Sequence, residues 1–205
     1  MHSVSVDGVP VTPSKIVCAG RNYVRHIEEL GNEVPDELVL FLKPNSAIGT
    51  TLPATRDGET LHYEGEIALL VRDGAFAAAA FGLDLTRRAL QTALKRRGLP
   101  WERAKAFAGS ALFGPFVSLT TPVTALALQL AVDGEVRQTA GVGLMIFKPD
   151  FILDEAERVF GLEDGDILLT GTPAGVGEVR AGARFAGELL ADGEHLCAAH
   201  WQAQR

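Results

Sequence analysis

The sequence predicts an α+β fold dominated by β-structure. Short apolar runs bounded by Gly, Pro or Asp-Gly recur along the chain, as half-buried and fully buried strands do. Helices are few, and Ile152 to Phe160 is the best amphipathic one, with Ile152, Leu153, Ala156 and Phe160 on one side. The second half reads as successive strands, with Asp133-Gly134 as a hairpin turn between Leu126–Val132 and Glu135–Gln138.

The other elements follow from the same signals. Val4 to Val11 forms a small hairpin turning at Asp7-Gly8, giving an N-terminal annex over residues 1–14 before a main domain over 15–205. Lys15 to Gly20 is a short buried strand. Tyr23 to Leu30 is helix-compatible, with Gly31-Asn32 as its C-cap. Val39 to Pro44 is a strand stopped by proline, and Leu61 to Val71 is the central strand. Ala75 to Ala80 is mostly alanine and too short for a full helix. Thr86 to about Lys95 begins a basic helix, and Pro100 to Phe107 is loop. Gly114 to Leu119 and Ile167 to Thr170 are strands. A glycine-rich loop, Gly171 to Gly177, and two weak strands complete the chain.

Composition excludes several classes. The 205 residues suffice for one sizeable core, and 47% are apolar. A net charge of −7 offers no basic stripe for nucleic acid. No apolar run approaches the roughly 20 residues of a membrane helix. Two cysteines without ligand spacing, and a start unlike a signal peptide, imply a reduced cytoplasmic location.

The chemistry concentrates in His62-x-Glu64-x-Glu66. On a strand these side chains share a face, with the two carboxylates roughly 6 to 7 Å apart at Cα. Such like charges repel unless a cation compensates, and oxygen ligands favour Mg²⁺, Mn²⁺ or Ca²⁺. An acidic edge strand facing solvent is the competing reading; His62 fits a packed strand residue better than a third ligand. His26 and Glu29, three apart on a helix, can pair so that the carboxylate orients an imidazole base; an exposed ion pair is the alternative. The glycine-rich loop lacks a Gly-Lys-Ser/Thr ending and a following helix, so it reads as close backbone approach to a small ligand, with Thr172 offering its hydroxyl and amide.

In order, Gly20-Arg21-Asn22-Tyr23-x-x-His26-x-x-Glu29, Phe41-x-Lys43-Pro44, His62-x-Glu64-x-Glu66, Asp84-x-Thr86-x-Arg88, Lys105-x-Phe107 and Thr170-Gly171-Thr172-Pro173-x-Gly175-Val176-Gly177 together resemble the fumarylacetoacetate hydrolase family, from about Lys15 to the C-terminus. The likeness is strongest to small bacterial acylpyruvase- and isomerase-type members. It implies a β-rich roll or mixed sandwich, a homodimer, and a Mg²⁺ or Mn²⁺ ion on Glu64, Glu66 and Asp84. It also implies a mobile lid carrying His26 and Glu29, with catalytic Lys105 and substrate contacts from Arg21, Tyr23, Lys43, Arg88, Gly171 and Thr172. Ala89 and Ala108 stand where the family usually has Asp, which predicts a looser Arg88 and Lys105. The interval from Glu66 to Asp84 looks short, as if a helix were trimmed to Ala75–Ala80.

The resemblance implies C–C hydrolysis of an acylpyruvate through a metal-stabilised enolate, with His26 activating water. The same enolate also suits isomerisation, oxaloacetate tautomerisation or decarboxylation, with Lys105 or solvent moving the proton. A homologue that only binds a dicarboxylate, or only dimerises, is the non-enzymatic alternative.

Overall fold

The computed structural model describes residues 1–29, 31 and 35–205. The strands that shape the fold are β1 (Val4–Val6), β2 (Val9–Val11), β3 (Lys15–Gly20), β4 (Val39–Pro44), β5 (Ile48–Gly49), β6 (Leu52–Pro53), β7 (Gly65–Arg72) and β8 (Ala75–Asp84). They continue with β9 (Ala111–Phe113), β10 (Val117–Ser118), β11 (Leu126–Val132), β12 (Glu135–Gly141), β13 (Ile167–Leu169), β14 (Arg184–Ala191) and β15 (Glu194–Gln204). The helices are α1 (Val24–Glu29), α2 (Arg88–Arg96), α3 (Glu102–Lys105) and α4 (Pro149–Phe160).

Two curled sheets carry these strands. The larger is ordered β4-β3-β13-β7-β8-β9-β5, with β10 also on β8; the smaller is ordered β12-β11-β14-β15-β6. Neighbours are antiparallel except β3–β13, β5–β9 and β6–β15. The central strands are buried on both faces, which is why β7 reads as one apolar run. Ile67, Leu69, Phe81 and Leu83 face a core shared with Leu128, Leu130, Phe185 and Leu189 of the smaller sheet. Ala68, Leu70, Ala78 and Ala80 face the other way, onto Ile16, Phe116 and the N-terminal hairpin residues Val4 and Val6. Asp7 N donates to Phe116 O at 3.0 Å, so the hairpin is bonded to the main sheet as well as packed on it.

Several sequence readings need correction. Ala75–Ala80 is neither a helix fragment nor a trimmed one: it opens β8, paired with β7 through Ala80↔Ala68 and Ala79↔Leu69. Alanine's helix propensity loses to a site flanked by strands and covered on both faces. The signal is Asp73-Gly74, with φ of 50° and 69°, the turn that joins two strands directly. Pro100–Phe107 contains α3, a single turn too short to leave a periodicity. The final strands are not weak, since β14 and β15 span 8 and 11 residues around Asp192-Gly193. The predicted 114–119 strand shrinks to β10, and Gly114-Pro115 separates it from β9, which the sequence reading did not include. The basic helix starts at Arg88 rather than Thr86, and α4 starts at Pro149, which is favoured at N1. The far end of the first predicted helix, at Leu30 and Asn32, lies outside the described residues.

Asp7, Asp57, Asp73, Asp133 and Asp192 all have φ between 48° and 52°, and each precedes a glycine of positive φ. The other non-glycine residue with positive φ among the described residues is Arg21, at 56°, outside any such turn.

Gly187 on β14 lets the two sheets close. A Cβ there would stand 2.2 to 2.7 Å from three atoms of the Phe81 ring, which is fully buried. Gly187→Ala should therefore cost about 2 to 3 kcal/mol in denaturant unfolding, as overpacking of a closed core does. A loss below about 0.5 kcal/mol would mean the ring has room to shift.

Candidate active site

The ladder between β7 and β8 continues one step past their ends, with Asp84 N donating to Glu64 O at 2.9 Å. Glu64 and Asp84 are thus directly opposed across two strands, and Glu66 follows two residues along on the same face. The three carboxylates are buried and offer oxygens within 4.8 Å of one another. Glu66 Oε2 accepts a bond from Gly171 N at 2.8 Å, which fixes its direction.

Cations hold this cluster together. Lys105 Nζ donates to Glu64 Oε2 at 2.7 Å, Asp84 Oδ2 at 2.7 Å and Thr86 Oγ1 at 2.6 Å, which uses all three ammonium hydrogens. Lys43 Nζ forms an ion pair with Asp84 Oδ1 at 2.8 Å and donates to Lys105 O, Ser110 O and Ser110 Oγ. Arg88 bonds Glu64 Oε1 through Nη2 and Gln91 Oε1 through Nη1 at 2.8 Å. Ala89 and Ala108 are exposed, and Arg88 and Lys105 are firmly held without Asp at either position, contrary to the looseness predicted.

These contacts set opposite proton affinities on neighbouring carboxyls. Burial works against ionising Glu64, but the Lys105 ammonium and then the Arg88 guanidinium hold it well below the ordinary range. Glu66 has no such partner: burial, then Asp84, then Glu64 push it well above 4.5. Burial also opposes the charge on Lys105, yet Asp84 and Glu64 raise its pKa, so it is held as an ammonium. Three buried carboxylates gathered this closely, one of them with a raised pKa, fit a hard cation. The donor set is all oxygen, as Mg²⁺ or Mn²⁺ requires.

α1 brings the predicted base over this centre. His26 is buried, with Nδ1 3.3 Å from Glu29 Oε2. Burial lowers its pKa from 6.5, against the pull of Glu64, so the imidazole is neutral at pH 7. With Nδ1–H donated to Glu29, Nε2 is left as the basic atom. Glu29 also accepts Gly175 N, at 3.0 Å to Oε1 and 3.2 Å to Oε2, which ties α1 to the glycine-rich loop. Gly175 has φ 100°, and a Cβ there would meet Arg137 O at 1.9 Å, so no other residue fits.

His26, Glu64, Glu66, Asp84, Arg21, Arg88, Lys105 and Thr172 line one narrow cleft. Tyr23, Lys43 and Gly171 stand behind it. The Tyr23 hydroxyl is buried without a bond, Lys43 supports Asp84 from below, and Gly171 orients Glu66. The Thr172 hydroxyl donates to Gly65 O at 2.9 Å and accepts from Gln138 Nε2 at 2.8 Å, so it is spent on the scaffold rather than open to a ligand. His62 pairs by backbone with Thr86 and belongs to no metal-ligand group among the described residues, in keeping with a packed role. Sequence reasoning missed Phe41, Gln91, Lys95 and Trp101, which also line the cleft. Arg88, Gln91 and Lys95 are spaced three and four apart, one face of α2, and that spacing was readable.

Comparison with known proteins bears on the same residues. The family pattern described as Fumarylacetoacetate (FAA) hydrolase C-terminal matches residues 15–200. A mitochondrial oxaloacetate tautomerase of Arabidopsis thaliana is 40% identical over 191 residues, 84% of this chain and 84% of its own. The oxaloacetate tautomerase YcgM of Escherichia coli (strain K12) is 38% identical over 186 residues, 82% of this chain and 85% of its own. The crystal structure of fumarylpyruvate hydrolase from Pseudomonas aeruginosa in complex with Mn²⁺ and pyruvate superposes with a TM-score of 0.89 at 30% identity, covering 99% of this chain and 95% of that one. This chain therefore belongs to the fumarylacetoacetate hydrolase family.

Proposed function

We propose that this protein is a divalent-metal enzyme that interconverts the keto and enol forms of a short 2-oxo dicarboxylate, oxaloacetate foremost. The observation that carries the reading is the buried Glu64, Glu66 and Asp84 set lying beneath a neutral His26 in one cleft. The names of the two relatives support the substrate. A Mg²⁺ or Mn²⁺ ion on those carboxylates would act as a Lewis acid toward the 2-oxo acid and lower the energy of its enolate.

The chain's own groups do the rest. His26 accepts the C3 proton at Nε2, Glu29 stabilises the imidazolium that forms, and the imidazolium gives the proton to the C2 oxygen to complete the enol. Lys105 stays an ammonium with its hydrogens on Glu64, Asp84 and Thr86, and its positive charge favours the developing oxyanion through space. It is not the group that takes a proton from carbon, because its charge is favoured by two carboxylates. α1 covers the cleft and keeps bulk water from the enolate.

A second reading, hydrolytic cleavage of an acylpyruvate, is favoured by the intact His26–Glu29 pair, since the same base could deprotonate water. One experiment tests both. The enol absorbance of oxaloacetate and the release of pyruvate from acetylpyruvate are followed with the purified protein, with Mn²⁺ or with chelator. Metal-dependent loss of the enol signal is expected. Pyruvate release without tautomerisation would replace the first reading with the second, and neither activity would reject both.

A further inference from the structure

The cleft ends on two aromatic rings that the proposed chemistry does not use. Phe41 of β4 and Trp101, just before α3, stand with ring centres 5.9 Å apart and planes tilted by 56°. Both line the cleft, and both also line a separate open groove with Val39, Leu42, Leu99 and Phe160. No other described residue lines both. The pair is therefore a partition, with carboxylates and cations on one side and apolar side chains on the other. It divides unequal spaces, about 40 Å³ in the cleft against about 500 Å³ in the groove.

The partition is held from several directions. The Trp101 carbonyl accepts from Ala104 N at 2.8 Å and Lys105 N at 3.0 Å, so the turn that delivers Lys105 also sets the indole. A Cβ on Gly20 would stand 3.7 Å from Trp101 Cζ3, which places the indole against the end of β3. Phe41 is fixed opposite Cys18 in the β3–β4 ladder. Lys95 Nζ lies 5.6 Å from the centre of the Trp101 ring, and Lys105 Nζ lies 5.5 Å from that of Phe41. Ammonium groups that close are attracted to the ring faces and oppose their rotation.

We propose that Trp101, backed by Phe41, determines specificity by length, closing the cleft against 2-oxo acids with apolar tails and admitting short ones. This rests on the reading of the cleft as a 2-oxo acid site, and binding tests it without turnover. Pyruvate and 2-oxooctanoate chelate a metal alike, through a carboxylate and the 2-oxo oxygen, and differ only in the length of the tail.

Calorimetric titration of the Mn²⁺-loaded protein should show pyruvate binding at least about tenfold tighter than 2-oxooctanoate. Trp101→Ala should tighten 2-oxooctanoate by about tenfold or more, because the tail gains the apolar groove, and leave pyruvate within about threefold. Oxalate has no tail, so its unchanged affinity shows that the variant is folded with its metal site intact. Trp101→Phe keeps a ring in the wall and should keep most of the preference. Phe41→Leu, which leaves α3 untouched, should shift the preference in the same direction as Trp101→Ala. Equal affinities of the two acids in the wild type, or a preference unchanged in both Trp101→Ala and Phe41→Leu, would overturn the wall. A protein that shows this length preference but never tautomerises oxaloacetate would keep the wall and reject the proposed reaction instead.

Discussion

His26→Ala should reduce cleavage of acetylpyruvate by about 10² to 10⁴-fold, the usual contribution of a positioned general base. Metal binding should be unchanged, because His26 is not among the clustered carboxylates. Tautomerisation of oxaloacetate should fall much less and be partly restored by added imidazole. The reason is the acid being deprotonated: bulk water has a pKa near 15.7, whereas the C3 hydrogen of a 2-oxo diacid is far more acidic and is open to small external bases. The pH profile follows from the lowered pKa of His26. Activity depending on the neutral imidazole is full at pH 7 and falls only once the pH drops below the ordinary histidine value of 6.5. Cleavage at the wild-type rate in His26→Ala would remove His26 from the chemistry, and an inflection above 6.5 would contradict its burial.

Glu66→Gln should lower the affinity for Mg²⁺ or Mn²⁺ by at least about an order of magnitude, since it removes a ligand charge but keeps the acceptor for Gly171 N. The same change should stabilise the metal-free protein near pH 8. The folded-state pKa of Glu66 lies above its unfolded value of 4.5, so the folded state binds the extra proton. Its contribution to stability is therefore complete below pH 4.5 and is lost as pH rises through the folded pKa. Glutamine carries no such penalty. Bound metal relieves it too, so the rise in melting temperature on adding Mn²⁺ should grow with pH in the wild type and hardly change with pH in Glu66→Gln. A pH-independent metal effect in the wild type would show that Glu66 is not the protonated member of the cluster.

Legibility in the sequence followed the range of the forces involved. Glu-x-Glu on one strand face needs only the two-residue period, and it was readable before any partner strand was known. That Asp84 stands opposite Glu64 was less so, because it requires β8, and the alanines of β8 carry no strand propensity. The Asp73-Gly74 turn did carry the information, as Asp133-Gly134 and Asp7-Gly8 did. α3 delivers Lys105 in a single turn, below the length at which periodicity registers. Lys95 was legible only through Arg88: within a run of basic residues on a helix, its spacing of three and four from Gln91 and Arg88 marks the shared face once Arg88 is assigned to the site. The positive φ of Arg21 had no signature at all, since it depends on Asn22 reaching strand and loop segments more than a hundred residues away.

The carboxylate of Glu29 serves two bonds, to His26 and to the backbone of Gly175. Any withdrawal of α1 from the glycine-rich loop breaks the second, and it releases the orientation of the first in the same movement. Arming of the base and closure of the site are then one event, so an enolate meets bulk solvent only when the imidazole is no longer aimed. Turnover limited by that step would slow with solvent viscosity and be nearly indifferent to deuterium at C3.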